Sequence, residues 1–164
     1  LSASTASQHI ENQQQASAAG VLDAARENGG LDAAVRYWDD TNGTLHGTSG
    51  GDYTTDSEVN RTRLGRMLLG TFESRGVAFN VYFAYTTDTG TVTRQRFIYR
   101  GEPSDNAATA STTVALYDDD RLYDADELPT NTTVNESSYD TLVPPDSSTG
   151  LYNVVRVEVV VWRM

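Results

Sequence analysis

Residues 76–100 constrain this chain more than any other stretch. Val77, Phe79, Val81, Phe83 and Tyr85 alternate with Ala78, Asn80, Tyr82 and Ala84, the period-2 pattern of a strand with one buried face. Thr87-Asp88-Thr89-Gly90 then supplies turn residues, including a glycine free to take positive φ. Thr91 to Arg100 runs back rich in β-branched and aromatic types, which predicts an antiparallel hairpin. Two strands alone are marginal in water, so the rest of the chain must cover their apolar face. That requirement predicts an α+β fold, and a chain of 164 residues has room for one core of this kind.

Charge narrows the setting. The twelve basic residues are all arginine, against twenty-three acidic residues and a net charge of −11. In dilute buffer such a surface repels itself, whereas near 1 M salt the Debye length falls to about 3 Å and the repulsion is screened. An acidic surface without lysine therefore reads as adaptation to very high salt. It also argues against nucleic acid as a partner, since phosphate-backbone binding needs a basic footprint. The chain has no cysteine, which excludes disulfides, thiolate nucleophiles and zinc–thiolate sites. Four Asn-x-Ser/Thr triplets stand at Asn42, Asn60, Asn131 and Asn135, each without proline in the middle, and so are glycosylation candidates. Three fall in polar, turn-like stretches and favour an exported protein; Asn60 stands at the start of a predicted helix.

The chain enters helical sequence directly. Ala3 to Asn28 is rich in Ala, Gln and Glu, and Ala3, Ala6, Ile10, Ser17, Val21 and Ala24 form a narrow stripe of small groups, with Gly20 its one blemish. A face this thin suits close packing on a sheet or on copies of itself. Asn28-Gly29-Gly30 stops the helix. Leu31, Ala34, Val35 and Trp38 then repeat at helical spacing, which predicts a short second helix ending at Asp39. From Thr41 to Thr55 the chain reads as loop, and its glycine-rich part lacks the Gly-Lys-Ser/Thr of a phosphate-binding loop. Thr55-Asp56-Ser57-Glu58 is a capping box opening a helix that carries Leu64, Met67, Leu68 and Phe72 on one face and stops near Gly76. After the hairpin, Ala108 to Tyr117 alternates again with Val114 and Leu116 inward, and Asp118 to Asn135 is acidic and irregular. The last segment, Leu151 to Trp162, places Val155, Val157, Val159 and Val161 on one face and Tyr152, Arg156, Glu158 and Trp162 on the other. Its hydrophobicity suits a central strand.

Three groups of residues carry candidate chemistry. Asp118, Asp120 and Asp124, in the densest run of carboxylates, supply hard oxygen ligands for calcium. The spacing fails the EF-hand pattern because Leu122 occupies a ligand position, so a solvated acidic loop is the competing reading. Arg94, Arg96 and Arg100 are expected on one side of the second hairpin strand, with Arg156 and Glu158 alongside on the last strand. They form either ordinary cross-strand ion pairs or a ridge for an acidic subunit. No catalytic constellation is legible: His9 lies among polar helix residues, His46 lies in a loop, and no motif surrounds any serine.

A resemblance runs through Leu1 to Gln15, Arg75-Gly-Val-Ala-Phe-Asn-Val-Tyr, Tyr99-Arg-Gly-Glu-Pro-Ser-Asp-Asn, Leu116-Tyr-Asp-Asp-Asp and the ending Leu151 to Met164. These segments resemble a family of haloarchaeal surface proteins of uncharacterised function with a type IV pilin-like organisation. The resemblance covers nearly the whole chain and implies architecture and location rather than activity. In pilin-like proteins a hydrophobic helix anchors the subunit in the membrane or the filament core, and its polar continuation packs on an antiparallel sheet. It implies here one extracellular domain over 1–164, with 1–28 the stalk continuation and 31–164 the head. It also implies a membrane-anchoring helix upstream, self-association or pairing with related subunits through the first helix, and no catalytic or cofactor residues. The expectation is a non-catalytic surface subunit with the first helix on a roughly four-stranded antiparallel sheet. The alternative is an exported stand-alone binding module, calcium-stabilised through the acidic loop.

Overall fold

The structure, a computed structural model, describes residues 3–49, 51–146 and 150–164. The side chain of Ala3, Gly50 in the glycine-rich run and residues 147–149 ahead of the last predicted strand lie outside the described residues.

Helix α1 (Ala3–Asn28) has the predicted bounds and stops at Gly29, whose φ of 83° is the left-handed conformation glycine adopts without strain. The buried face is turned by one residue from the predicted stripe. Gln14, Ala18, Val21, Leu22 and Ala25 are buried, Ala24 is exposed, and Ala6, Ile10 and Ser17 are partly exposed. Ala18 and Ala25 let the helix backbone approach the sheet closely, and Leu22 fills the space between them.

Helix α2 (Gly30–Val35) is shorter than predicted. Trp38 leaves the helix and pairs with Leu45 in a ladder of β1 (Trp38–Asp39) and β2 (Thr44–Leu45). Asp39 holds the turn between them, its Oδ1 accepting the N–H groups of Thr41 at 3.0 Å and Asn42 at 3.2 Å. The stretch predicted as plain loop therefore contains a small hairpin.

The capping box forms as predicted: Thr55 Oγ1 accepts Glu58 N–H at 3.3 Å and Glu58 Oε2 accepts Thr55 N–H at 2.9 Å. Backbone donors at Thr55 and Thr54 hold the Glu58 carboxyl below the usual carboxylate range. The helix it opens is broken into α3 (Asp56–Val59) and α4 (Arg63–Phe72). Thr62 caps the second piece, accepting Gly65 N–H at 3.1 Å. The break depends on Gly65: a Cβ there would run into the Val59 carbonyl. Leu64, Leu68 and Phe72 are buried and Met67 is partly buried against them.

The main sheet contains β3 (Val77–Thr86), β4 (Val92–Ile98), β5 (Ala108–Tyr117) and β8 (Leu151–Arg163) in the order β4-β3-β8-β5, antiparallel throughout. β8 is central, as its hydrophobicity predicts. A second ladder, β6 (Arg121–Tyr123) with β7 (Pro129–Thr133), lies in the stretch expected to be irregular. Leu122 from it and Val134 after it are buried in the main core.

The core lies between the sheet's inner face and α1, α2 and α4. Two features depart from the alternation. First, the outer face of β3 and β8 is also covered at one end, where Tyr82, Val160 and Trp162 bury one another with Ala78, Tyr99 and Ala107 against them. Asn80, fully buried, ties the covering segment down by donating to Gly101 O at 2.8 Å and accepting Arg100 N–H at 2.7 Å. The expected single buried face of β3 is therefore two. Second, Tyr152 is in the inner core rather than on the outer face. The register moves from Leu116↔Asn153 to Tyr117↔Leu151, and this extra residue on β8 turns Tyr152 inward.

Four buried tyrosines pin the loops. Their hydroxyls donate to backbone carbonyls: Tyr37 to Ala125 at 2.6 Å, Tyr53 to His46 at 2.5 Å, Tyr139 to Val35 at 2.6 Å and Tyr152 to Val143 at 2.7 Å. Each bond satisfies a polar group that would otherwise be stranded in the core. Among the described residues no helix is long and apolar enough to cross a membrane.

Candidate interaction surface

Two halves of α1 do different things. The second half is clamped along the free edge of β5, where Gln15 Nε2 donates to Thr109 O at 3.2 Å and Arg26 Nη2 donates to Thr112 Oγ1 at 2.6 Å and Thr113 O at 2.5 Å. These bonds occupy carbonyls that an edge strand would otherwise leave open. In the first half, no residue from Ser4 to Gln13 is buried.

On the outer face of the sheet the arginine ridge forms in part. Arg94 Nε donates to Glu158 Oε1 at 2.8 Å, and Arg156 donates to Glu158 Oε2 from Nε at 2.7 Å and from Nη2 at 2.6 Å. Glu158 is buried while both arginine side chains are about half exposed. Arg94 also lies over the Tyr82 ring at 4.0 Å and Arg96 over the Tyr99 ring at 3.6 Å, cation–π contacts that hold both guanidiniums flat on the face. Arg100 does not join them. A bulge at Val81/Tyr82 puts an extra residue, Phe97, on β4, and beyond it Arg100 pairs with Asp56 at 2.5 Å and lies over Phe79. Residue spacing cannot reveal that bulge, although Tyr82 and Tyr99 are visible aromatic partners for arginine.

Asp118, Asp120 and Asp124 are not brought together. Each carboxylate serves its own turn: Asp118 Oδ2 accepts Gly150 N–H at 3.2 Å, Asp120 Oδ2 accepts Tyr117 N–H at 2.8 Å, and Asp124 Oδ1 accepts Asp126 N–H at 2.9 Å and Leu128 N–H at 3.0 Å. Among the described residues, no three His, Asp or Glu side chains are placed to hold a metal ion. Sequence reasoning missed Glu127. It sits at a φ of 61°, and its Oε1 accepts Arg63 N–H, at the start of α4, at 2.9 Å.

Asn42, Asn60, Asn131 and Asn135 are all exposed. Asn42 donates its amide to Asp39 Oδ2 at 2.7 Å, a bond that a glycan on that nitrogen would have to rearrange. His9 is exposed on α1. His46 Nε2 is 2.8 Å from Tyr123 O and the ring meets Tyr37 edge-on.

Fold and surface together define an α+β protein whose long first helix seals one edge of a four-stranded main sheet, with an arginine–aromatic ridge on that sheet's outer face. Over residues 1–161 the chain matches a family of unknown function (DUF7288), and it belongs to that family. No curated protein and no solved structure matches the chain.

Proposed function

We propose that this chain is the head and stalk continuation of a non-catalytic, pilin-like surface subunit of a halophilic archaeon, assembling through α1 with copies of itself or with related subunits. In this reading a hydrophobic segment upstream of residue 1 anchors the subunit in a membrane or filament core, and the head faces the exterior. One observation carries it. The helix has 26 residues, about 39 Å at about 1.5 Å per residue, yet among its described side chains the buried positions run only from Gln14 to Ala25. Such a half-buried rod provides a handle for lateral packing, which the fold of the head alone does not need. The acidic, lysine-free composition and the four exposed sequons agree with an exterior location in concentrated salt.

The test is disulfide scanning of the full-length gene product in its own cells. Residues 1–164 have no cysteine, so with any cysteine outside them replaced by serine, single cysteines at exposed Gln8 and Asn12 report only new contacts. Crosslinked ladders in the surface fraction from both helix positions, and none from Asp88→Cys at the hairpin tip, are expected. Release of an uncrosslinked monomer into the medium would overturn the reading.

A further inference from the structure

One edge of the main sheet is closed by α1; the other is open. Thr87 N–H donates to Thr91 O at 2.8 Å, which sets the phase of the hairpin. Residues in step with Thr91, namely Thr93 and Gln95, bond to β3, so the N–H and C=O groups of Val92, Arg94 and Arg96 point away from the sheet. Beyond the bulge at Phe97, Tyr53 enters this lane and makes a one-residue parallel bridge: its N–H donates to Phe97 O at 2.9 Å, and its carbonyl accepts Tyr99 N–H at 2.8 Å. No other described residue continues that lane beside 92–96. A groove of about 600 Å³ lies there instead, lined by Arg94 and Arg96 of β4, by Asp52 and by the edges of the otherwise buried Trp38, Leu45 and Leu142.

An open edge is a template for another strand. The charges on this one choose its partner. Around the groove and the adjoining face Arg94, Arg96 and Arg156 outnumber two carboxylates, the buried Glu158 and the groove-lining Asp52. Pairing β4 with β4 of a second copy would set Arg94 and Arg96 against like charges, which is unfavourable in facing strands. Side chains of an added strand alternate, with one set meeting the arginines and the other the parts of Trp38, Leu45 and Leu142 that line the groove. We propose that the β4 edge accepts, by strand addition, an extended segment of another polypeptide that alternates apolar and acidic residues. This site lies across the sheet from α1 and does not depend on the stalk reading.

The probe is a capped peptide of alternating valine and aspartate, added to isotope-labelled protein and followed by amide chemical shifts. Shifts at Val92, Arg94 and Arg96 are expected. Arg94→Gln should weaken binding by about fivefold through loss of the charged contact. Arg94→Pro, which removes an outward N–H that β3 does not use, should weaken it by a further fivefold or so. Equal affinity of the two variants, or shifts confined to other regions, overturns the proposal, and so do concentration-dependent edge shifts without peptide, which would make a second copy the partner. If Arg94→Pro fails to fold, the peptide N-methylated at alternate residues decides on the wild-type chain: undiminished binding overturns the proposal and lost binding supports it.

Discussion

Glu127 fastens the acidic β6–β7 hairpin to the start of α4, and replacing it separates two opposing effects. Its φ of 61° lies in the left-handed region, which costs a side chain of this kind about 1–2 kcal/mol. Three interactions bear on that geometry. The charged bond from Arg63 N–H at 2.9 Å is worth about 1.5–3 kcal/mol, and the start of α4 adds a few tenths through its dipole. Arg66 Nη2 at 3.4 Å is half exposed and contributes under about 1 kcal/mol. Against these, Oε2 is buried with no partner, a penalty of about 1–3 kcal/mol. The contacts therefore net about 1–2 kcal/mol. Glu127→Ala loses them and keeps the strain, so it should lower Tm by about 2–4 °C for each kcal/mol lost. Glu127→Gly loses the same contacts and relieves the strain, offset by about 0.4–1 kcal/mol of extra freedom in the unfolded chain. It should be more stable than the alanine variant by about 1 kcal/mol. Urea and thermal unfolding in one concentrated-salt buffer measure both. If alanine equals or exceeds glycine, the strain argument is wrong.

Burial pushes the hydroxyls of Tyr37, Tyr53, Tyr139 and Tyr152 above the ordinary tyrosine value. In the unfolded chain they ionise near pH 10 while the folded chain holds them neutral, so their contribution to stability is complete below about pH 10 and declines as pH rises beyond it. Followed by the phenolate absorbance band, these four of the nine tyrosines should ionise together with the loss of near-ultraviolet circular dichroism. All nine titrating near pH 10 with the fold intact would contradict this. Gly65→Ala should destabilise the fold by about 1–3 kcal/mol, the range for overpacking a filled site, because its Cβ meets the Val59 carbonyl. A urea midpoint equal to wild type would show that α3 and α4 can separate freely.

The bounds of α1, the hairpin, the central place of β8 and the capping box were legible because each is specified by local chemistry: alternation, turn residues, helix caps. What escaped was set by tertiary partners. Trp38 fits the helical spacing of Leu31 and Val35, yet it is buried equally well from a strand opposite Leu45, and a period cannot tell the two apart. Tyr152 and Arg100 changed sides because single extra residues shifted the register on β8 and β4, and period-2 reasoning inverts across every such bulge. β6 and β7 are short and rich in threonine and charge, and they are held by Asp124, Glu127 and Thr130 bonding to backbone, so no hydrophobic pattern marks them. The same bonds account for the acidic run that resembled a calcium site, since carboxylates that cap turns and carboxylates that gather around an ion have the same composition.

The two sheet edges constrain how this chain can associate. Side chains of α1 occupy Thr109 and Thr113 carbonyls on β5, so strand addition on that side would first have to strip the helix away. β4 has no such cover beside 92–96, and with four strands at about 4.8 Å spacing it lies about 14 Å across the sheet from β5. The proposed packing between copies through the first half of α1 and the proposed capture of an acidic strand at β4 would therefore use separate surfaces. Concentrated salt acts on the two differently. It screens the charge that would hold acidic copies apart along the helix, and it weakens the arginine contacts at the β4 edge while leaving the backbone hydrogen bonds there largely intact.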